Sequence, residues 1–415
     1  MNEFPLGHRR GLTSLGLAAG LLFATPSDAA TVTTATAFDG SNGAVPAQGN
    51  LLFDAQMLYG AAYAGGVADL GTIFQLPASG NASAIAIHSF SGADGEHPNG
   101  SLVADAQGNL YGTTAAGGAS NLGTVFELVK PAVQGGKWTL TVLHSFTGPD
   151  GAHPAVGVSR GPDGSLYGVA YDGGNVPCVA FLGHPEGCGT VFKISAAGNF
   201  HILHTFSGFP LDGAGPGTNL VIDPAGVVIG TTNKATNSGD GGSLFTISPT
   251  GTFTNVTEFF PKARQGYPVG NIVRDPAGNV YGMTALAGGL GGPEQGAGIW
   301  EVTALSHKQL LLKILDRQVS KSGVVRDGAG NLLGTTTGSV MGAGVTGAGT
   351  VFALNAAGSA VTYVQLGTPN LAPVGGVILD PSGALWGTSS AGGQICQSSA
   401  SPGAAGCGTV FKVVP

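Results

Sequence analysis

Two short motifs return together seven times along the chain, and this repetition constrains the fold more than any other feature. The first is an aromatic or bulky residue followed by glycine, as in "LYGTT", and it occurs at Tyr59, Tyr111, Tyr167, Ile229, Tyr281, Leu333 and Trp386. The second, as in "GTVF", follows at Phe74, Phe126, Phe192, Phe245, Trp300, Phe352 and Phe411. Neither motif occurs without the other, so one repeated unit contains both.

Each unit predicts four short strands, A to D, from its alternating apolar residues and its turn residues. In the second unit the predicted strands cover residues 100–105, 109–115, 123–129 and 138–146. With 42% hydrophobic and 9% charged residues, the chain has enough apolar material to fold around a large core. The units therefore predict an all-β protein.

The predicted turn between strands A and B has the chemistry of a hairpin. Aspartate recurs at one register, at Asp105, Asp223, Asp275, Asp327 and Asp380, and glycine recurs three residues later, at Gly108, Gly226, Gly278, Gly330 and Gly383. An aspartate can accept turn N–H groups and glycine adopts positive φ easily. A calcium loop is the less favoured interpretation, because each turn offers one carboxylate whereas calcium takes about six to eight oxygens.

Four antiparallel strands recurring about every 50 residues are typical of propeller blades. The last unit ends in "GTVFKVVP", which is a strand C, while "TVTTATAF" (31–38) resembles the strand D of other units, such as "LTVLHSF" (140–146). We therefore expect a seven-bladed β-propeller whose last blade is completed by the N-terminal strand, which removes exposed sheet edges. A β-solenoid is the alternative fold.

The order of the motifs also resembles a known family. "HSFTGPDGAHP" (144–154), "GSLYG" (164–168), a loop containing Gly-Gly and "GTVF" are similar to the repeats of the extracellular tandem-repeat family known as GloVer. The resemblance extends over essentially the whole chain after its leader. It implies a secreted, propeller-like protein, and it brings no established enzymatic activity or catalytic residues.

The N-terminus predicts a signal peptide, residues 1–29. Arg9 and Arg10 precede an apolar run (12–24) that is too short to span a bilayer, and small residues suited to cleavage after Ala29 follow it. Only part of a twin-arginine motif is present, so the general secretory route is favoured. We expect residues 30–415 to form one propeller domain, secreted or periplasmic, with no membrane span after cleavage.

Four cysteines lie in two of the predicted B–C loops. Cys178 and Cys188 are in the third unit, and Cys396 and Cys407 are in the seventh. These are the two longest such loops that separate the paired motifs. In an exported protein this pattern predicts the disulfides Cys178–Cys188 and Cys396–Cys407, whereas zinc is disfavoured because neither pair has Cys-x-x-Cys spacing.

The B–C loops and the D–A connections fall on one face of such a propeller, here called the loop face. The third and seventh blades lie nearly opposite each other, so the disulfide-bonded loops would flank the channel mouth. We take this face as the candidate binding surface, because function tends to lie on loops held by a rigid scaffold. The candidate ligand-binding residues are Asp94, Glu96, His97, Asp150, His153, Arg264 and Tyr267.

Repetition also offers a structural interpretation for many of these residues. Asp-Gly makes the turn in successive D–A connections, and histidine is one tolerated choice at its repeat position, since another copy has Tyr267. A second series, His88, His144 and His204, occurs in strand D. We expect this series to pack and form hydrogen bonds within or between blades.

The sequence contains no usable nucleophile elbow, phosphate loop, dinucleotide fingerprint or zinc-protease motif, so no catalytic residue, metal or cofactor is predicted. A net charge of −7 without long basic runs disfavours nucleic acid as a partner. We expect a binding or scaffold module whose ligand is a glycan or a cell-surface component. A polysaccharide lyase or hydrolase acting at the channel mouth and a structural envelope or matrix component are the alternatives.

Overall fold

The computed structural model describes residues 30–414, except 81, 155, 176–177, 179–186, 209–210, 235–240, 260–266, 288–295, 305–308, 317, 342–343, 347, 359–360, 368–371, 395 and 397–405. The predicted leader and Arg264 lie outside these residues. All regular structure in the described part of the chain is β-strand, arranged in seven antiparallel blades around a ring, with one small additional sheet.

The first strand belongs to the last blade, and the first four blades follow it in the chain. Their strands are β1 (Thr31–Ala37), then β2 (Ala44–Pro46), β3 (Leu52–Asp54), β4 (Met57–Ala64), β5 (Thr72–Pro77) and β6 (Ile85–Ser89) in blade 1, β7 (Glu96–Pro98), β8 (Val103–Ala104), β9 (Leu110–Ala116), β10 (Thr124–Val129) and β11 (Thr139–Ser145) in blade 2, β12 (Val158–Arg160), β13 (Leu166–Ala170), β14 (Thr190–Ile194) and β15 (Phe200–Thr205) in blade 3, and β16 (Ala214–Pro216), β17 (Val221–Ile222), β18 (Val228–Lys234), β19 (Ser243–Ile247) and β20 (Phe253–Glu258) in blade 4.

The remaining strands form blades 5 to 7 and the small sheet. They are β21 (Pro268–Arg274), β22 (Val280–Ala287), β23 (Gly296–Val302) and β24 (Gln309–Asp316) in blade 5, β26 (Val324–Arg326), β27 (Leu332–Thr336), β30 (Thr350–Leu354) and β31 (Val361–Gln365) in blade 6, β32 (Ile378–Leu379), β33 (Leu385–Ser389) and β34 (Thr409–Val414) in blade 7, and β25 (Gln318–Val319), β28 (Gly338–Met341) and β29 (Gly344–Thr346) in the small sheet.

The N-terminal strand closes the ring. β1 pairs antiparallel with β34, from Thr31 opposite Val414 to Ala37 opposite Thr409, and so supplies the outer strand of blade 7. The prediction that the N-terminal segment completes the last blade is confirmed. A closed ring of seven sheets confirms the propeller and excludes the solenoid.

The core of the protein lies between the blades. Among the residues that the structure describes, the buried apolar side chains form seven clusters, one at each junction of neighbouring blades. At the junction of blades 2 and 3, for example, Phe146 packs with Leu166 and Phe192. Each blade therefore buries its faces only against its neighbours, so the closure of the ring completes the core.

The pairing of the two repeated motifs has a steric cause. The glycine after each first-motif residue lies opposite the second-motif aromatic on the next strand, as Gly112 lies opposite Phe126. A Cβ atom at any of these glycines would come within 3.0 Å of that ring. The aromatic anchors are fully buried. One motif leaves the space that the other fills, so both must occur together.

The A–B turns fold as predicted. Asp105 Oδ1 accepts the backbone N–H groups of Gln107 and Asn109 at 2.9 Å, and Gly108 has φ of 83°. The same cap recurs at Asp327, which accepts from Ala329 and Asn331. These aspartates are structural caps, in agreement with the favoured interpretation.

Candidate functional site

In blades 1 to 3 the loops of the loop face are held together by backbone hydrogen bonds. The B–C loop donates to the D–A connection that enters the same blade, from Gly66 N to Gly40 O at 2.8 Å and from Gly118 N to Gly92 O at 2.8 Å. Blade 3 repeats this bond from Gly174 N to Gly148 O at 2.9 Å. The loops of the face are therefore braced on one another.

A second set of hydrogen bonds joins neighbouring blades across the loop face. In blades 1 to 4, the residue before the proline that begins the blade donates its N–H to the preceding blade. The bonds are Val45 N to Cys407 O (2.9 Å), His97 N to Leu70 O (2.8 Å), His153 N to Leu122 O (2.9 Å) and Gly215 N to Cys188 O (2.9 Å). These donors all have positive φ, between 52° and 61°. Such backbone is strained for residues other than glycine, and the repeated inter-blade bond stabilises it.

The histidines of this series are candidate ligand residues, and their side chains contact the preceding blade or their own. The ring of His97 stacks on Tyr63, with centroids 4.3 Å apart, and its Nδ1 donates to the Tyr63 carbonyl at 3.0 Å. His153 Nδ1 lies 3.1 Å from Asp172 Oδ2, and 40% of its side chain is exposed. The His153–Asp172 pair thus presents a polar group to solvent on the loop face.

Asp94 and Asp150, also candidate ligand residues, form the same local arrangement in two blades. Asp94 Oδ2 accepts from His88 Nε2 at 2.9 Å, while its Oδ1 accepts from the backbone N–H and the hydroxyl of Ser91. His144, Thr147 and Asp150 repeat these bonds. Both carboxylate oxygens are therefore engaged in shaping the turn.

The remaining candidates differ in their exposure. Glu96 is half-buried in β7, where it pairs with Ala116 of β9. Tyr267, just before blade 5, is 48% exposed. His153 and Tyr267 both offer accessible side chains, and the ligand-binding role of the whole set stays a prediction.

The strand D histidines are structural, as expected. His144 stacks on Phe200 of the next blade at 3.6 Å between centroids, and His204 stacks on Phe253 at 4.0 Å. Burial lowers the pKa of His88 and of His144, while the neighbouring carboxylate opposes the shift. The neutral imidazole with a proton on Nε2 is the form that fits this site.

The Ser–Asp–His grouping is not a catalytic triad. In a triad the imidazole lies between the hydroxyl and the carboxylate, so that it can take the hydroxyl proton. Here the carboxylate lies between the two, because Asp94 binds both Ser91 and His88. The arrangement fixes a turn, and no imidazole lies beside the hydroxyl.

The sequence did not reveal a third copy of the pair. His204 Nε2 lies 2.8 Å from Asp212 Oδ2, although the connection in blade 3 is two residues longer than in the first two. The link between each strand D histidine and a turn aspartate was also missed. The recurrence of "HSF" or "HTF" shortly before Asp-Gly is the signal that could have found both.

The centre of the ring is nearly closed at the loop face. A Cβ atom placed on any of six glycines would come within 3.0 Å of the backbone of a neighbouring blade; these are Gly49, Gly100, Gly157, Gly270, Gly323 and Gly375. A cavity of about 40 Å³ lies among these innermost segments, lined by residues that include Gly49, Gly100 and Gly270. The innermost segments of neighbouring blades thus pack backbone to backbone.

Both predicted disulfides are present, Cys178–Cys188 in blade 3 and Cys396–Cys407 in blade 7. The second cysteine of each pair occupies the register of Leu70 and Leu122 and supplies the carbonyl that binds the next blade. Most residues between the paired cysteines lie outside the described part of the chain. Each disulfide therefore links its long loop to a residue, Cys188 or Cys407, that is hydrogen-bonded to the next blade.

The opposite face, formed by the A–B and C–D turns and here called the turn face, carries features that the sequence did not predict. Tyr111 Oη lies 3.0 Å from Asp105 Oδ2 and 2.9 Å from Glu127 Oε1, and Tyr281 repeats this with Asp275 and Glu301. Burial, together with the two carboxylates, raises the pKa of Tyr281 to about 12. A glutamate directly after the second motif, as at Glu127 and Glu301, is the signal for this cluster.

Grooves of about 490, 700 and 640 Å³ lie on the turn face between blades 3 and 4, 1 and 2, and 7 and 1. These volumes are those of small-molecule sites. In the part of the chain that is described, no group of three or more His, Cys, Asp or Glu side chains is placed to hold a metal ion. Nor does any helix there reach the length and apolarity needed to cross a membrane.

A family model matches the N-terminal part of the chain. The model of the Gloeobacter/Verrucomicrobia repeat aligns with residues 7–178 of the chain. Residues 7–178 carry the Gloeobacter/Verrucomicrobia repeat. The resemblance to GloVer repeats is confirmed, and the motifs of blades 4 to 7 continue the same pattern in the structure.

Solved structures similar to this repeat protein are propellers of diverse kinds. "Streptogramin B lyase structure" is 14% identical with a TM-score of 0.58, and the match covers 93% of this chain and 98% of that one. The extracellular domain of BT3049 of B. thetaiotaomicron, named as a hybrid two component system, is 12% identical with a TM-score of 0.56, over 93% of this chain and 41% of that one. At such identities the likeness shows the fold alone. No curated protein sequence matches the chain.

Proposed function

We propose that the protein is an exported binding module that holds a glycan or a cell-surface component on its loop face. The observation that carries the proposal is the double set of hydrogen bonds described above, within blades and between them. These bonds brace the loops of blades 1 to 4 into a rigid surface that bears His153 and Asp172, and the exposed Tyr267 lies at the entry to blade 5. Rigid loops lower the entropy lost on binding, which favours affinity.

Export is part of the proposal. Two intra-loop disulfides are typical of proteins that fold in an oxidising compartment, and the predicted signal peptide agrees with such a destination. The structural neighbours include an enzyme by its printed name and an extracellular domain, so the fold is compatible with either class of function.

The geometry favours a binder over an enzyme at the channel mouth. The aspartates of the D–A connections are bound by the strand D histidines that precede them in the chain, so these carboxylates already have a structural partner. A polysaccharide lyase or hydrolase needs an acid and a base that converge on a bound sugar. The His–Asp pairs repeat from blade to blade around the ring, and such repeated pairs do not provide an acid and a base that converge on one sugar.

The test is a glycan array probed with residues 30–415, with each bound polysaccharide incubated with the protein and analysed for shortened or unsaturated products. We expect saturable binding to a restricted set of glycans without product. Release of product from any of them would contradict the proposal and support the enzymatic alternative. Failure to bind any glycan or whole cells would contradict the proposal and favour the alternative that the protein is a structural envelope or matrix component.

A further inference from the structure

The largest of the three grooves on the turn face is built by a departure from the repeat. The connection between β10 and β11, residues 130–138, is the longest C–D connection among the six blades that are continuous in the chain. It begins at Lys130 and ends at Trp138, and it lies over Met57, Tyr59, Ile85 and Ile87 of blade 1. We call the resulting space, about 700 Å³, the Lys130–Trp138 groove.

The connection that forms the groove has a defined shape. Gly136 N donates to Val133 O at 3.0 Å, which closes a tight turn, and Lys130 N donates to Asn109 Oδ1 at 3.0 Å. At its far end Trp138 is buried and packs edge to face against Tyr59, with centroids 5.9 Å apart. Both ends are therefore fixed, and the groove is preformed.

The lining of the groove is apolar with a positive rim. Val133 and Ile85 are large apolar side chains with exposed fractions of 69% and 59%. Lys130 and Lys137 are exposed beside them, and no Asp or Glu lines the groove. Its local charge is thus opposite to the net charge of −7 of the whole chain.

The two other grooves provide an internal comparison. In the groove between blades 3 and 4, Lys193 is paired with Asp163 at 2.9 Å, which lowers the pKa of Asp163 to about 2. The groove between blades 7 and 1 contains Lys412 together with Asp380. Of the three grooves, the Lys130–Trp138 groove alone has cations without a lining carboxylate.

From this chemistry we propose that the Lys130–Trp138 groove binds a small amphipathic anion, namely a medium-chain alkyl carboxylate. The alkyl chain lies along Met57, Ile85, Ile87 and Val133, and the carboxylate is held by Lys130 and Lys137. The volume matches sites for ligands of this size. The apolar residues of blade 1 form the floor of the groove, and a bound alkyl chain would contact this floor. If the connection inserted into a lipid surface instead, only Val133 would reach the acyl chains, so the groove favours the small ligand.

The experiment measures dodecanoate binding to residues 30–415 by calorimetry at pH 7.5, below the micellar concentration. We expect one saturable site, weakened at least tenfold by the double variant Lys130→Gln and Lys137→Gln and also by Val133→Asp. Lys193→Gln, in the groove that has its own carboxylate, is the matched control and should leave the affinity unchanged. Dodecanol and dodecyltrimethylammonium should bind at least tenfold more weakly than dodecanoate.

Three results would overturn the proposal. They are the absence of saturable dodecanoate binding, equal affinity of the double lysine variant and the unaltered protein, and equal affinity for the alcohol. Binding to anionic phospholipid vesicles that requires Lys130 and Lys137, without binding of monomeric dodecanoate, would assign the connection to a membrane surface instead. Because this site is on the turn face, neither outcome depends on the glycan proposed for the loop face.

Discussion

At the scale of single residues, the repeat depends on the contact between a glycine and an aromatic ring. Gly112 and Phe126 face each other across neighbouring strands, and the same pair recurs in every blade. The glycine is needed for space and not for an unusual backbone, because its φ is not in the positive range. Its replacement therefore measures packing alone.

We expect Gly112→Ala to lower the free energy of unfolding by about 1–3 kcal/mol, because the added methyl group overpacks a filled core. Gly328→Ala is the control, since a Cβ atom at Gly328 meets no atom within 4 Å. Urea denaturation followed by fluorescence provides the measurement. Equal destabilisation by both substitutions would show that the ring contact is not the cause.

The strand D histidines predict a pH dependence. Burial lowers the pKa of His144 in the folded protein, whereas an unfolded histidine titrates near about 6.5. Below that pH the unfolded chain takes up the proton more readily, so stability is full above about 6.5 and falls as the pH decreases through this region. We expect the urea midpoint to be lower at pH 5.5 than at pH 7.5.

His144→Gln should reduce this dependence, because glutamine can donate a hydrogen bond to Asp150 without titrating. His201→Gln, at an exposed position on β15, should leave it unchanged. A pH dependence that is identical in the two variants would argue against a contribution from His144.

The residue scale also shows where sequence reasoning stops. The turn aspartates and glycines could be predicted, because each aspartate binds backbone N–H groups no more than four residues away in the sequence. The partner of His88 was missed, because the Asp-Gly pair already had a sufficient role in the turn. The positive φ of His97 and His153 was hidden as well, since it serves a bond to another blade.

At the scale of elements, β1 is the closure of the ring. It pairs along its length with β34 and adds Val32 to the apolar cluster between blades 6 and 7. Deletion of residues 30–37 exposes an edge strand and part of two junction cores, so we expect a lower melting temperature and a tendency to associate.

A synthetic peptide of residues 30–38 supplied in excess should restore part of the lost stability, whereas a peptide of scrambled order should not. Differential scanning calorimetry on the truncated protein with each peptide measures this. An unchanged melting temperature after the deletion would contradict the assignment of β1 as a structural part of blade 7.

The disulfides are the second prediction at this scale. Each closes a short loop, with sequence separations of 10 and 11 residues. Replacing Cys178 and Cys188 by serine should cost about 2–3 kcal/mol in the free energy of unfolding, largely through the greater freedom of the unfolded chain. Guanidinium denaturation under non-reducing conditions tests this, and an unchanged midpoint would contradict it.

Three of the four strand types were predicted well, and the fourth was not. In blade 2 the predicted strands B, C and D agree with β9, β10 and β11 to within a residue at each end, whereas only Val103 and Ala104 of the predicted strand A (100–105) are a strand. The first part of that segment instead contacts the neighbouring blade through Gly100 and Ser101. Periodicity within a unit carries no information about such contacts between units.

At the scale of the whole molecule, the ring has two faces of different character. The loop face is braced by repeated hydrogen bonds and closed at its centre, whereas the turn face holds grooves between blades. The sequence could place loops on one face from the order of the strands. It could not show how closely the innermost segments pack, because that depends on the approach of glycines from neighbouring blades.

The measurement that tests the proposed function most directly compares face-specific variants in glycan and cell binding. The loop face is altered by His153→Ala with Tyr267→Ala, and the turn face by Lys193→Gln, with circular dichroism as the check on folding. We predict that the loop-face variant loses at least tenfold in affinity for the captured glycan or cell surface and that the turn-face variant binds as the unaltered protein does. Loss of binding in the turn-face variant with full binding in the loop-face variant would contradict the account.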